Sequence, residues 1–244
     1  MQAAAGNICI VIPTYNNAGT ICDVAGRAVA LGYPVIVVND GSTDQTAALL
    51  AQSGLPISVL NHSRNCGKGI ALRTALAYAR AQGFRYAITL DADGQHFPED
   101  VTVLVEALSQ HPGALIVGSR NLQAENMPGG NTFANRFSNF WFRVQTARSL
   151  PDTQTGFRAY PLDRLPNLKI LTSRYEAELA LLVFSVWKGI ELVPVPIRVC
   201  YPEDRVSSFR PFRDFFRISV LNTLLCVLAI VYGYPRMLIH KLLH

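Results

Sequence analysis

Short apolar runs alternate along this chain with stretches of helical period, and nearly every apolar run stops at a polar cluster. Residues 8–12 are a continuous β-branched run cut off by Pro13, the pattern of a strand buried on both faces. Residues 35–38, 57–60, 86–90 and 115–118 repeat it, and the stretches 20–31, 67–81, 98–109 and one ending near Gln52 predict helices. Strands alternating with helices imply a mostly parallel sheet joined by right-handed crossovers. Each polar cluster then falls at the carboxyl end of a strand, the edge where open α/β sheets hold their ligands.

Beyond Gly130 the rhythm changes. Residues 131–150 predict an amphipathic helix with Phe133, Phe137, Phe140, Trp141 and Val144 as its apolar stripe. A polar loop over 152–158 enters a short strand, and 175–188 predicts a helix carrying Glu176 and Glu178, with Glu178 on a solvated face. Residues 190–199 read as a strand at the sheet edge, because Pro194 and Pro196 interrupt it. Arg205, Arg210, Arg213 and Arg217 then lead into an almost wholly apolar stretch, 218–234, followed by Arg236, His240 and Lys241. At about 1.5 Å per helical residue this core falls slightly short of a hydrocarbon layer about 30 Å thick. Its basic flanks, with Phe209, Phe212, Phe215 and Phe216, predict a helix lying in or dipping into a membrane surface. The competing reading is a core helix packed on its own domain.

Composition sharpens the membrane expectation. Of the 244 residues, 50% are hydrophobic and 16% charged, and the mean hydropathy of +0.20 is high for a soluble domain. A formal charge of +5 suits anionic partners such as nucleotides, lipid phosphates or acidic membranes. No basic-aromatic module supports nucleic acid as a partner. The cysteines at 9, 22, 66, 200 and 226 are odd in number and lack Cys-X-X-Cys spacing, which fits reduced cytosolic thiols. The first residues lack the charge and apolar core of a signal peptide, so the expected place is the cytoplasmic face of a membrane, peripheral or short-anchored.

The densest chemistry follows residues 86–90, where Asp91-Ala92-Asp93-Gly94-Gln95-His96 sets two carboxylates one residue apart beside an amide. Oxygen donors of this kind suit a hard divalent cation shared with substrate phosphates. An EF-hand loop would need glycine where His96 stands. Phosphatases of the haloacid-dehalogenase kind normally carry Thr or Val where Gln95 stands. Gly67-Lys68-Gly69 lacks the preceding glycine and following hydroxyl residue of a P-loop, yet Lys68 at a helix start can reach a diphosphate. Asp40 can accept from a nucleobase N–H or a ribose hydroxyl, whereas Ser42, Thr43 or Asp44 would cap the next helix.

Taken in order, Pro13-Thr14-Tyr15-Asn16, Asp40-Gly41-Ser42-Thr43-Asp44, Asn65-X-Gly67-Lys68-Gly69, Asp91 to His96, Gly118-Ser119-Arg120 and Asp152-Thr153-Gln154-Thr155-Gly156-Phe157-Arg158 resemble family 2 glycosyltransferases. The likeness covers about residues 7–200 and is nearest to the dolichyl-phosphate mannose synthase and polyprenyl-phosphate sugar transferase branch. It implies a GT-A fold, an inverting mechanism, a nucleotide-sugar donor and Mg²⁺ or Mn²⁺. Carried across position by position, Pro13, Tyr15, Asn16, Asp40, Gly67 and Asp91 would hold the nucleoside, and Asp91, Asp93 and Gln95 the metal. Many relatives have an acidic residue where Asn16 stands. A polyprenyl-phosphate acceptor, itself a nucleophile, would be held by Arg120 and Arg136 with Arg205 or Ser207. Where relatives carry a Ser-Lys-Leu-like run, this chain reads Val206-Ser207-Ser208-Phe209-Arg210. A lipid hydroxyl acceptor would instead need a base, with Asp152 the first candidate and Glu176 the second.

The expected organisation is a GT-A domain over residues 1–204, with a nucleotide half at 1–118 and an acceptor half at 119–204, and a membrane-associating tail at 205–244. Two rivals are a nucleotidyltransferase of GT-A-like fold, whose basic loop after the first strand is missing from 13–19, and a non-catalytic membrane-bound scaffold. The motifs select neither a particular sugar nor an oligomeric state.

Overall fold

The computed structural model describes residues 7–120, 129–166, 176–200 and 211–243. The chain begins with a run of β–α units: β1 (Ile8–Thr14), α1 (Ile21–Ala30), β2 (Val35–Asn39), α2 (Thr46–Gln52), β3 (Ile57–Asn61), α3 (Lys68–Ala81) and β4 (Tyr86–Thr89). A 3₁₀ turn at Pro98–Asp100 precedes α4 (Val101–Gln110) and β5 (Leu115–Arg120). Then follow α5 (Gly129–Thr146), β6 (Arg158–Pro161), α6 (Glu176–Trp187), β7 (Leu192–Ile197), α7 (Pro211–Leu228), a π-helical turn at Ala229–Gly233 and α8 (Tyr234–Leu243).

The strands form one seven-stranded sheet in the order β3-β2-β1-β4-β6-β5-β7. All neighbours run parallel except β6, which is antiparallel to both β4 and β5. The mostly parallel α/β sheet expected from the periodicity is therefore present. β1 and β2 are buried nearly throughout, as central strands covered by helices on both faces must be. β7 sits at the edge, where Pro194 and Pro196 remove N–H donors that an inner strand would need.

The insertion of β6 is what shapes the site. Thr89 at the end of β4 donates its hydroxyl to the Gly156 carbonyl at 2.6 Å, and the Arg158 N–H returns a bond to Thr89 Oγ1 at 3.3 Å. This staple draws the loop before β6 against the loop after β4. Gly156 comes so close that a Cβ there would stand 2.5 Å from Asp91 Oδ2.

Two helices depart from the sequence expectation. On α5 the buried positions are Asn135, Ser138, Phe142, Gln145 and Thr146, while Phe140 is 59% exposed and Val144 is exposed too. Two members of the predicted stripe therefore face outward, while Phe137 and Trp141 are half-buried and the Phe133 side chain lies outside the described residues. Three buried polar side chains on the inward face bond across the interface: Asn135 to Asp152, Ser138 to Thr153, and Gln145 to Asn222. Glu178 on α6 is buried, not solvated, because this helix is apolar all round and packs on several sides.

The tail extends further than its apolar core suggested. A helical segment apolar on average runs from Ile218 to Leu242, 25 residues or about 37 Å of helix, with Arg236, His240 and Lys241 inside its last part. Leu221, Leu225 and Ala229 enter the main core with Trp187, and a Cβ on Gly233 would overlap the Trp187 indole. The opposite side, including Val220, Leu224, Val227, Ile230 and Val231, is exposed.

Candidate active site

The carboxyl edge of β1, β2 and β4 gathers the predicted donor residues. Asn16 adopts φ 54 and locks the β1 loop to the β2 loop: its N–H donates to Ser42 Oγ at 3.0 Å, and its Oδ1 accepts the Thr43 N–H at 2.8 Å. Asp44, one residue before the N-cap Gln45, accepts the Thr46 N–H that opens α2 at 2.9 Å. Tyr15 stands 41% exposed on this edge, a flat aromatic face open to a base. Pro13 pairs with Val38 inside the sheet.

Asp40 is buried beneath these loops. Its Oδ1 accepts the Cys66 N–H at 3.0 Å and its Oδ2 the Gly67 N–H at 2.7 Å, so it fixes the start of α3. His62 Nδ1 lies 2.6 Å from Asp40 Oδ1, and His62 Nε2 lies 3.0 Å from Thr74 Oγ1. The backbone of Arg64 and Asn65 passes over Gly41 (φ +67) with no room for a Cβ. Neither His62 nor that close approach was singled out from the sequence.

Lys68 begins α3 and joins two carboxylates from distant segments, Asp91 Oδ1 at 2.7 Å and Glu178 Oε2 at 3.1 Å. Burial disfavours the ammonium, but the charges of Asp91 and Glu178 outweigh it and hold Lys68 protonated well above its ordinary range. Burial alone would raise Asp91, yet the Lys68 charge keeps it ionised. Asp93 goes the other way: desolvation first and the Asp91 charge second raise it. Two carboxylates in one loop, the second destabilised by the first, suit a divalent cation that would neutralise both. His96 fits the same environment, with a buried Nδ1 that has no hydrogen-bond partner among the described residues and lies 4.0 Å from Asp91 Oδ2. Burial keeps its imidazole neutral. Gln95 currently turns its amide nitrogen to Asp93 Oδ2 at 2.7 Å, so its carbonyl oxygen would face a cation only after rotation.

Of the residues predicted to hold the acceptor, Arg120 is bonded to Asp152, which is fully buried. Arg120 donates Nε to Asp152 Oδ2 at 2.6 Å and Nη2 to Oδ1 at 3.0 Å, with Asn135 Nδ2 at 2.6 Å and the Gln154 N–H at 3.0 Å on Oδ1 as well. Against the cost of burial, the Arg120 fork holds the pKa of this carboxyl below the usual carboxylate range. Arg158, also fully buried, ties the region together by donating to the carbonyl oxygens of Glu178 at 2.8 Å and Thr153 at 2.9 Å. Glu176 is buried at the start of α6, and Arg136 is exposed on α5. Arg205 and Ser207 lie outside the described residues. Arg158 closes the last quoted motif, yet nothing in the sequence pattern marked it as the buried cation of this site.

Comparison with known proteins agrees with this geometry. The sequence profile of glycosyl transferase family 2 matches residues 9–160. The chain is 26% identical over 240 residues to UDP-N-acetylglucosamine–dolichyl-phosphate N-acetylglucosaminyltransferase of Methanococcus voltae, covering 88% of this chain and 96% of that protein. It is 27% identical over 212 residues to polyprenol monophosphomannose synthase of Mycolicibacterium smegmatis, covering 82% and 79%. In fold it is similar to glucosyl-3-phosphoglycerate synthase from Mycobacterium tuberculosis, solved in complex with Mn²⁺, UDP-glucose and phosphoglyceric acid. That match has a TM-score of 0.65 at 20% identity, over 92% of this chain and 82% of that one. The fold is GT-A, and the chain belongs to glycosyl transferase family 2.

Proposed function

We propose that this glycosyltransferase moves a sugar from a nucleoside-diphosphate donor to a polyprenyl phosphate at the cytoplasmic face of a membrane. The observation that carries the choice of acceptor is the state of Asp152. A hydroxyl acceptor needs a carboxylate able to take its proton. Asp152 is fully buried, its affinity for protons is lowered, and both its oxygens already accept hydrogen bonds. A phosphate monoester arrives ionised and needs no such base. The acceptors printed in the names of the two archaeal and bacterial relatives support the same reading.

In this reading Tyr15 stacks on the base, Asp40 and Asn16 hold the nucleoside, and Gly67 lets the start of α3 approach the diphosphate. Lys68 leaves its bridge to Asp91 and Glu178 to share the diphosphate charge. A divalent cation, Mg²⁺ or Mn²⁺, held by Asp91, Asp93 and Gln95 would supply Lewis-acid neutralisation of the departing diphosphate. An acceptor phosphate oxygen attacks the anomeric carbon opposite the leaving group; the new C–O bond forms as the bond to the nucleoside diphosphate breaks, with inversion. Arg120, held in place by Asp152, and Arg136 orient the acceptor phosphate, as guanidinium forks do well.

Thermal melting with UDP, GDP, CDP or dTDP, each with and without Mn²⁺, tests donor binding. A metal-dependent rise with one nucleotide is expected, because a ligand at a hundred times its dissociation constant adds about 2.7 kcal/mol. No rise with any of them, in folded protein, would refute donor binding.

A further inference from the structure

At the far end of α6 from Glu178, about 15 Å along the helix axis, lies a second cluster of charge. Lys188 donates Nζ to the carbonyl oxygens of Arg164 at 3.0 Å and Leu165 at 2.9 Å. Arg164 donates to the Gly113 carbonyl at 2.9 Å, Arg80 to the Leu162 carbonyl, and Arg236 to the Tyr232 hydroxyl at 2.7 Å. All of these acceptors are neutral. Among the described residues, none of the four cations forms an ion pair with a carboxylate. Burial, then the charges of Arg236, Arg80 and Arg164, lower the affinity of Lys188 for its proton. Like charges gathered with no carboxylate paired to them among the described residues repel one another and favour an anion between them.

Space for one exists. An open groove of about 450 Å³ runs between Lys188 and the tail, lined by Lys188, Arg236, His240, Val231, Tyr232 and Ile239. Its wall is fixed by close packing: the His240 imidazole rests on Gly189 (φ +78), where a Cβ would overlap it. Beside the cations the tail is aliphatic and bare, with Val231 72%, Ile239 56% and Leu242 77% exposed. Cations alone would accept any small anion, whereas cations bordering an exposed aliphatic helix face suit a headgroup with acyl chains.

We propose that this groove seats the phosphate of an anionic membrane phospholipid, with its acyl chains along Val231, Ile239 and Leu242. The tail then lies along the membrane plane instead of crossing it. Its other side is already committed to the domain through Leu221, Leu225, Ala229 and the Gln145–Asn222 hydrogen bond of 3.0 Å. This deepens the membrane-bound reading above and rests on it.

Co-sedimentation of the full chain with phosphatidylcholine vesicles, with and without phosphatidylglycerol, tests the proposal. Wild type should bind both and prefer the anionic vesicles. Arg236→Gln and Lys188→Gln should each lose about fivefold of the binding to anionic vesicles, the worth of one charge near such a surface. Both should keep wild-type binding to phosphatidylcholine. Lys241→Gln, outside the groove, should lose clearly less. Equal losses in all three variants would mean diffuse attraction and overturn the site, as would an undiminished preference in both groove variants. Saturable thermal protection by inorganic phosphate at matched ionic strength, without vesicles, would assign the groove to a soluble ligand and overturn the lipid. Failure of wild type to bind either vesicle would sink the membrane reading itself.

Discussion

Lys68 Nζ lies 2.7 Å from Asp91 Oδ1 and 3.1 Å from Glu178 Oε2, so one ammonium joins three segments distant in sequence. The three groups come from the start of α3, the loop after β4 and the start of α6. Removing the cation leaves two carboxylates facing each other in a partly buried site. Lys68→Met is therefore expected to cost about 3 kcal/mol of stability, the usual scale for breaking one partner out of such a pair. Urea denaturation read by circular dichroism checks it. A loss near zero would mean that water, not Lys68, solvates Asp91 and Glu178.

Asp93 bonds within its own loop, its Oδ1 accepting the Gln95 N–H at 3.0 Å, and its carboxylate is disfavoured by desolvation and by the Asp91 charge. Asp93→Asn is therefore expected to leave the melting temperature unchanged or raise it by a few degrees, up to about 4 °C. It should also abolish the Mn²⁺-dependent part of nucleotide stabilisation. Melting curves with nucleotide, with and without Mn²⁺, separate the two effects.

Gly156→Ala tests the staple between β4 and β6. The added methyl would meet Asp91 Oδ2 at 2.5 Å and Oδ1 at 2.7 Å, displacing the carboxylate proposed to hold metal. Metal-dependent nucleotide affinity should fall by about tenfold, or about 1.4 kcal/mol. Titration calorimetry measures this directly, and an unchanged affinity would place Asp91 outside the metal site.

Asp152 gives a pH signature. Its folded-state pKa lies below the unfolded value of about 3.9. The stability it contributes is thus present above that pH and disappears as the pH falls through the folded value. Wild type should exceed Asp152→Asn by about 3 kcal/mol, constant between pH 5 and 8, in denaturant midpoints. The gap should close on acidification below about pH 4. Were Asp152 an accessible base, the variant would instead fold normally and lose transfer activity alone.

Much of this was legible in the chain itself. Apolar runs ending in Pro13, Asn39, Asn61 and Asp91 predicted strands whose carboxyl ends share one edge, and they do. Two prolines marked β7 as the edge strand. What escaped were pairings across long sequence separations. Glu178 looked solvated by its charge, although the unbroken apolar surroundings from Ala177 to Trp187 were a signal for burial. The aromatics of α5 looked like a core stripe because periodicity shows that one face is apolar, not which neighbour that face meets. In the structure Phe140 and Val144 are exposed, while Asn135 and Gln145 turn inward to partners no local pattern reveals. His62 and Arg158 are likewise defined by contacts with Asp40 and Glu178, 22 and 20 residues away.

The most direct test of the central claim is transfer of labelled sugar from the nucleotide donor found by melting to undecaprenyl phosphate in detergent with Mn²⁺. The account predicts a butanol-extractable labelled product with wild type, none with Asp93→Asn, and none when the free alcohol undecaprenol replaces its phosphate. Equal transfer to the alcohol would contradict the assignment of an already ionised acceptor, and with it the role given to Asp152.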